Sequence, residues 1–244
     1  MRSRQSPQIA NQNLSLLKHF GEWATERESL PTNPFESLKA VRVTRKVNPK
    51  RQPLTVEQTR AVLNAFKFHP AYHCYHDYVM ALIYLGARPS EVAGLRWGDI
   101  DWQNQSVTIA ESLSRNEDGR TAGYARQRKD TKNHKVRRVT IHPNLFTVLQ
   151  GRMPPDAKPN ALIFLSQKGL PIDDHNFSQR PWKVICNQVG IDRVPYSLRH
   201  SLGSHMLERG ATDAQVAQVM GNTPETVNRH YAHAISSPEM PGFT

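Results

Sequence analysis

Cysteine is nearly absent. The 244 residues contain only Cys74 and Cys186, far apart and without metal-ligand spacing, so neither a disulfide framework nor a zinc site is indicated and a reducing compartment fits. Long apolar runs are missing as well. No stretch approaches the roughly 18 residues that a membrane span needs, and the opening MRSRQSPQIANQN lacks the apolar segment of a secretion signal. A soluble, cytoplasmic protein is the expectation. Acidic residues are short too: Asp and Glu number 21 against 32 Lys and Arg, a formal charge of +11, with a pI near 9.9. That balance points to a polyanionic partner, nucleic acid first, although many basic proteins are merely soluble and motifs must decide.

What is present suffices for one main core, since 38% of the chain is hydrophobic and the length leaves room for a second small module. Leu16, Phe20 and Trp23 recur at helical spacing, which predicts an amphipathic helix over residues 12–28. Residues 37–56 carry Lys39, Arg42, Arg45, Lys46, Lys50 and Arg51, with Pro49 and Pro53 against helix, and read as a basic linker. A main domain starts at Leu54, where Thr55 and Gln58 form a capping box for a helix towards Phe68. A second helix is expected from about Tyr72 to Leu85, and Pro89 fits the first turn of a short third one just after Arg88. Residues 106–110, 124–129 and 136–141 read as strands, the last two joined by a polar turn at 130–134. Helices are expected at 174–189, 197–209, 213–220 and 224–233, with Gly210 and Gly221 closing the second and third. The class is mainly α with a small antiparallel β-sheet.

Four separated pieces then need one explanation: LGARPSE around Arg88, DTKNHKVRRV around Lys132, YSLRH around Arg199, and MGNTPETVNRHYAH with Tyr231, nine residues after Asn222. Together, in this order, they resemble the phage-integrase type of tyrosine recombinase. The resemblance covers roughly residues 54–235 and implies the catalytic-domain fold of DNA breaking-rejoining enzymes. It implies that Tyr231 attacks a DNA phosphate to form a 3′-phosphotyrosyl link while Arg88 and Arg199 hold the non-bridging oxygens. It also implies that Lys132 protonates the departing 5′-oxygen, that Glu91 orients arginine, and that His200 supports the site. Arginine forks match phosphate oxygens and stay charged, and a lysine of lowered pKa suits proton donation. No cofactor and no metal are implied. The expected partners are double-stranded DNA and further copies of the chain, as a dimer or tetramer on DNA.

Two positions depart from the pattern: Tyr196 stands where His or Lys is usual, and Asn222 where His or Trp is usual. A phenol is a poor base at neutral pH, whereas an amide can still donate a hydrogen bond to phosphate. Residues 1–53 match only the last helix of the family's core-binding module plus the basic linker, and 236–244 form a short tail. Arg42, Arg45, Lys46, Lys50, Arg51, Lys135 and Arg137 are the expected DNA contacts. His69, His73 and His76 sit at i, i+4 and i+7, but Pro70 interrupts them and no fourth ligand is evident. Two rival functions stand beside this one. A non-catalytic DNA-binding protein would explain only the 213–233 helix pair, and a type IB topoisomerase would share the chemistry without a second DNA partner.

Overall fold

The computed structural model describes residues 6–42, 49–114, 127–130 and 136–231, and the chain divides into two compact units, Met1–Val47 and Asn48–Thr244. The first unit is built on α1 (Pro7–Glu26). This helix starts earlier than the apolar spacing implied, because the Ser6 side chain accepts from the Ile9 N–H and Pro7 occupies the first turn. The chain then folds back along α1. Asn11 exchanges two hydrogen bonds of 2.8 Å with the Val41 backbone, and Asn33 packs so closely on Gly21 that a Cβ there would fall 2.0 Å from its Oδ1.

The second unit opens with a 3-10 turn, Pro49–Arg51. This end of the expected linker is pinned, since the Lys50 carbonyl accepts from the Val194 N–H at 3.1 Å and from the Ser197 hydroxyl at 2.9 Å. Then α2 (Val56–Phe68) follows with both halves of the Thr55/Gln58 capping box made. The central helix is α3 (His76–Leu85), with six of its ten residues buried. It begins after a 3-10 turn at His73–Tyr75 rather than at Tyr72, and ends at Gly86, whose φ of 54° only glycine adopts without cost. The short α4 (Pro89–Ala93) comes next. Around α3, Phe66, Tyr78, Phe177 and Trp182 form an aromatic core, each side chain contributing on the order of 1.5–3 kcal/mol by leaving water.

Five short strands follow: β1 (Ile100–Asp101), β2 (Ser106–Ile109), β3 (Glu111–Ser114), β4 (Gln127–Asp130) and β5 (Arg137–Thr140). All described pairings are antiparallel, in the orders β1-β2-β5 and β3-β4. This corrects the expected hairpin between the last two strands. β4 pairs with β3, and β5 pairs with β2, because the 106–114 stretch supplies two strands rather than one and each captures its own partner.

The helix α5 (Pro143–Arg152) had no counterpart in the sequence reading, although His142 caps it and Pro143 sits in its first turn. The expected helix over 174–189 forms as one continuous helical stretch in which α6 (Asp174–Phe177) and α7 (Lys183–Gln188) flank a π turn at Ser178–Trp182. The cause of the π turn is Pro181, which has no N–H to donate inside the helix. The last three helices, α8 (Tyr196–Glu208), α9 (Asp213–Met220) and α10 (Pro224–Tyr231), pack together through Leu207, Val216, Met220 and Val227. The architecture is thus mainly helical with minor antiparallel sheets. Among the described residues no helix is long and apolar enough to cross a membrane.

Three glycines with φ near 65–70° make a controlled comparison. A Cβ on Gly221 would meet Arg137 Nη1 at 2.9 Å and Cδ at 3.1 Å, whereas Gly169 and Gly190 face open space. Gly169→Ala and Gly190→Ala should each cost about 1–2 kcal/mol from backbone strain alone. Gly221→Ala should cost measurably more in urea unfolding, and equal costs at all three sites would refute the close approach.

Candidate active site

Where α3 stops and α4 starts, the chain turns at Gly86 and leaves Arg88 as the N-cap, in extended geometry ahead of Pro89. Glu91 reaches back from the first turn of α4. Its Oε2 accepts from the Arg88 backbone N–H at 2.9 Å and its Oε1 from Arg88 Nη1 at 2.6 Å. The same carboxylate accepts from Arg137 Nη2 at 2.6 Å. Glu91 is only 1% exposed. Burial alone would raise its pKa, but the Arg137 hydrogen bond and charge, with the Arg88 N–H and charge, outweigh it and hold the carboxyl below its usual range.

Arg137, one of the expected DNA contacts, is only 8% exposed. Besides Glu91 it serves the Val219 carbonyl of α9, through Nε at 3.1 Å, so it joins β5 to α9 and steadies Arg88 through the shared carboxylate. The alternating burial of β5 turns Arg137 and Val139 inward and Arg138 and Thr140 outward. That period of two was legible in the sequence and would have marked Arg137 as interior.

Arg199, on the first turn of α8, is 1% exposed. Its Nη1 donates to the Gly86 carbonyl, and its Nη2 to the Met220 carbonyl and to Asn222 Oδ1, the last at 2.9 Å. Its Nε is buried without a partner among the described residues. Burial draws the Arg199 pKa down from its ordinary value; the Arg88 charge adds to this, while Tyr196 and Glu91 oppose it. A guanidinium has room for such a shift and stays protonated. The Asn222 amide oxygen accepts from Arg199, which leaves its Nδ2 group as the donor expected to face a phosphate.

Tyr231, near the end of α10, is 2% exposed. Its ring packs on α8 at Gly203, where a Cβ would come within 3.1 Å of Cζ. Its hydroxyl lies 2.8 Å from Nδ1 of His200. Burial pushes the Tyr231 pKa well above that of a free phenol, with Arg199 pulling the other way. The His200 pKa is lowered to about 4, by burial first and then by His230, Arg199 and Arg51. Tyr196, one helical turn before His200, meets its ring edge-on at 5.0 Å between centroids. Arg88, Glu91, Arg199, His200, Asn222, Tyr196 and Tyr231 therefore gather where α8, α10 and the α3–α4 turn meet. The sequence reading gave His200 a supporting place. Its direct contact with the tyrosine hydroxyl had no sequence signal, because it depends on how α10 lies against α8.

Other expected residues lie elsewhere. Lys132, Lys135, Arg45 and Lys46 fall outside the described residues. Arg42 and Arg51 are exposed, and Lys50 is exposed and 3.2 Å from Asp192. Among the described residues no group of three or more His, Cys, Asp or Glu is arranged to hold a metal ion. His69 Nδ1 accepts from the Ala71 N–H at 3.1 Å and His76 Nδ1 lies 2.8 Å from Asp77.

Comparison with known proteins adds an independent line. The model of the phage integrase family matches residues 52–237. The tyrosine recombinase XerC of Chlamydia muridarum is 22% identical over 236 residues, an alignment covering 93% of this chain and 67% of the relative. The transposase from transposon Tn916 of Enterococcus faecalis is 28% identical over 227 residues, covering 86% of this chain and 55% of the relative. Among solved structures, the Tn1549 transposon integrase in complex with a circular intermediate DNA matches with a TM-score of 0.77 at 21% identity, covering 94% of this chain and 76% of that one. A lambda integrase dimer bound to a COC′ core site matches at 0.64 and 12%, covering 98% of this chain and 63% of that one. At such identities the structural likeness speaks for the fold.

The buried groups make stability depend on pH. His200 binds its proton less well folded than unfolded, where its pKa is about 6.5, so its contribution is intact above that value and is lost as pH falls towards about 4. Glu91, with its pKa lowered, adds a further loss below the ordinary carboxylate pKa. Urea unfolding at several pH values should show stability falling across both windows, and His200→Asn should flatten the upper one only. An upper window of the same slope in wild type and variant would contradict the burial of a neutral His200.

Proposed function

The chain belongs to the phage integrase family, whose relatives support site-specific DNA recombination as the class of reaction, and we propose that this chain cuts and rejoins DNA through a covalent bond to Tyr231. One observation carries the reading: the buried Tyr231 hydroxyl is held at 2.8 Å by His200, the residue after the buried Arg199, whose Nη1 donates to the Gly86 carbonyl two residues before Arg88, so the tyrosine and both arginines converge on one place and the Arg199 charge acts on Tyr231. The arginines supply fixed positive charge where a phosphate would gather negative charge in the transition state. Glu91 fixes Arg88, and two backbone carbonyls with Asn222 fix Arg199, so little reorganisation is needed when the phosphate arrives. The Nε–H of Arg199, buried without a partner among the described residues, also favours that arrival, since a buried unsatisfied donor costs about 1–3 kcal/mol until an acceptor reaches it.

In the proposed step the Tyr231 oxygen forms a bond to phosphorus and the bond from phosphorus to the 5′-oxygen breaks. The 5′-oxygen leaves with a proton from Lys132. The phosphate stays on the tyrosine as a 3′-phosphotyrosyl link, and a second 5′-hydroxyl reverses the step, so the energy of the broken bond is kept and no nucleotide is consumed. Exchange between two duplexes requires more than one copy on DNA. Double-stranded DNA is the proposed partner, consistent with the DNA in the Tn1549 and lambda integrase structures.

Incubation with a duplex that loses a short fragment on cleavage should trap a covalent adduct. Tyr231→Phe should abolish that adduct and leave DNA binding nearly intact, and Arg88→Ala should slow its formation by about 10² or more. An adduct that survives Tyr231→Phe would overturn the assignment.

Binding itself should fall steeply with salt, since it rests on phosphate contacts. Neutralising Arg42, Arg45, Lys46, Lys50 and Arg51 together should weaken it and reduce the slope of log affinity against log salt. An unchanged slope would show that this segment does not touch DNA.

A further inference from the structure

If Tyr231 attacks a phosphate, its proton must go somewhere, and position 196 offers only a phenol. The described geometry offers a better acceptor. The Tyr231 hydroxyl is 2.8 Å from His200 Nδ1, the two rings are 5.6 Å apart between centroids at 53°, and the tyrosine is buried. Tyr196 meets the edge of the His200 ring, and among the described residues it has no hydrogen bond to Tyr231. We infer that His200 is a catalytic residue of this chain: its Nδ1 accepts the proton of Tyr231 as the oxygen attacks, in place of the group at position 196. The inference rests on the reading that Tyr231 is the nucleophile.

Acceptance requires a neutral ring with its own proton on Nε2, and the surroundings favour neutrality. Around His200 stand Tyr196 and Arg199 on α8, His230 and Tyr231 on α10, and Arg51 on the turn before α2. Burial and the charges of Arg199 and Arg51 disfavour imidazolium, so at neutral pH the ring is unprotonated. It is a weak base in that state, and a raised Tyr231 pKa means that no free tyrosinate accumulates. The proton therefore moves as the bond from oxygen to phosphorus forms. The incoming phosphate helps, because its negative charge beside the pocket offsets the arginines and makes imidazolium less costly.

The balance closes. In cleavage the O–H proton of Tyr231 passes to Nδ1, the tyrosine oxygen bonds to phosphorus, and the 5′-oxygen departs with a proton from Lys132. In rejoining, the attacking 5′-hydroxyl returns its proton to the lysine, the bond from phosphorus to the tyrosine oxygen breaks, and the tyrosine recovers its proton from His200.

Single-turnover cleavage from about pH 5.5 to 9 tests this with wild type and His200→Asn, on an ordinary duplex and on one whose 5′-bridging oxygen is replaced by sulfur. The wild-type rate should be nearly independent of pH. The variant should bind DNA normally, cleave about 10²–10⁴ more slowly, and gain about tenfold per pH unit because hydroxide must now remove the proton. Sulfur leaves without protonation, so the substituted duplex should not restore the His200→Asn rate, whereas it should restore Lys132→Ala. A variant with the wild-type pH profile, or one restored by sulfur, would overturn the inference. Should the variant fold poorly, 15N-histidine NMR of wild type decides instead: an unprotonated Nδ1 at neutral pH is expected, and a protonated Nδ1 donating to Tyr231 would overturn it. No adduct from wild type, or an adduct that survives Tyr231→Phe, would bring down the nucleophile assignment and this inference with it.

Discussion

The site depends on a guanidinium buried between the ends of two helices. The last carbonyls of an α-helix have no partner inside it and carry the negative end of its dipole. In this chain α3 and α9 both stop at a glycine in the left-handed conformation, and each offers one carbonyl, that of Gly86 or of Met220, to Arg199. A positive charge at 1% exposure is thereby held, among the described residues, without an acidic partner in direct contact. Three hydrogen bonds fix its direction, and the arrangement leaves its charge unneutralised and available to an anion.

Around that centre the charges do not balance. Arg88 and Arg137 both pair with one buried carboxylate, Glu91, and Arg199 feels its charge without touching it. Glu91 joins α4 to β5, and Arg137 continues the link to α9 through Val219, so the elements bearing the arginines cannot move independently. Gathering uncompensated cations in a low-dielectric pocket opposes folding. The same excess gives an arriving phosphate a strong preference for this place. The neutral His200 next to the tyrosine belongs to the same field, since one more positive charge there would be costly.

The sequence could be read wherever the physics is local. The Thr55/Gln58 box, the helix ends at Gly86 and Gly221, and the start of α10 at Pro224 each depend on a few neighbouring residues, and each is found in the structure. Local readings failed where two local signals competed. The 174–189 pattern gives the helix but not the π turn around Pro181 inside it, and the 106–114 stretch, where the pattern marks one strand over 106–110, holds two. Strand partnership is not written in either strand, so β4 and β5 were paired with each other when each had another partner.

For the site, the sequence by itself determined which side chains are chemically capable: the spacing of Arg88, Arg199, Asn222 and Tyr231 along the chain carries the family likeness, because each is fixed by its own short segment. Only the tertiary structure decided what those side chains touch. That Arg137 is interior, that Asn222 accepts from Arg199, and that His200 meets the Tyr231 hydroxyl all depend on contacts spanning 23 to 46 residues of chain. Such contacts follow from how α8, α9, α10 and β5 pack, and packing is set by the shape of the whole core rather than by any one segment.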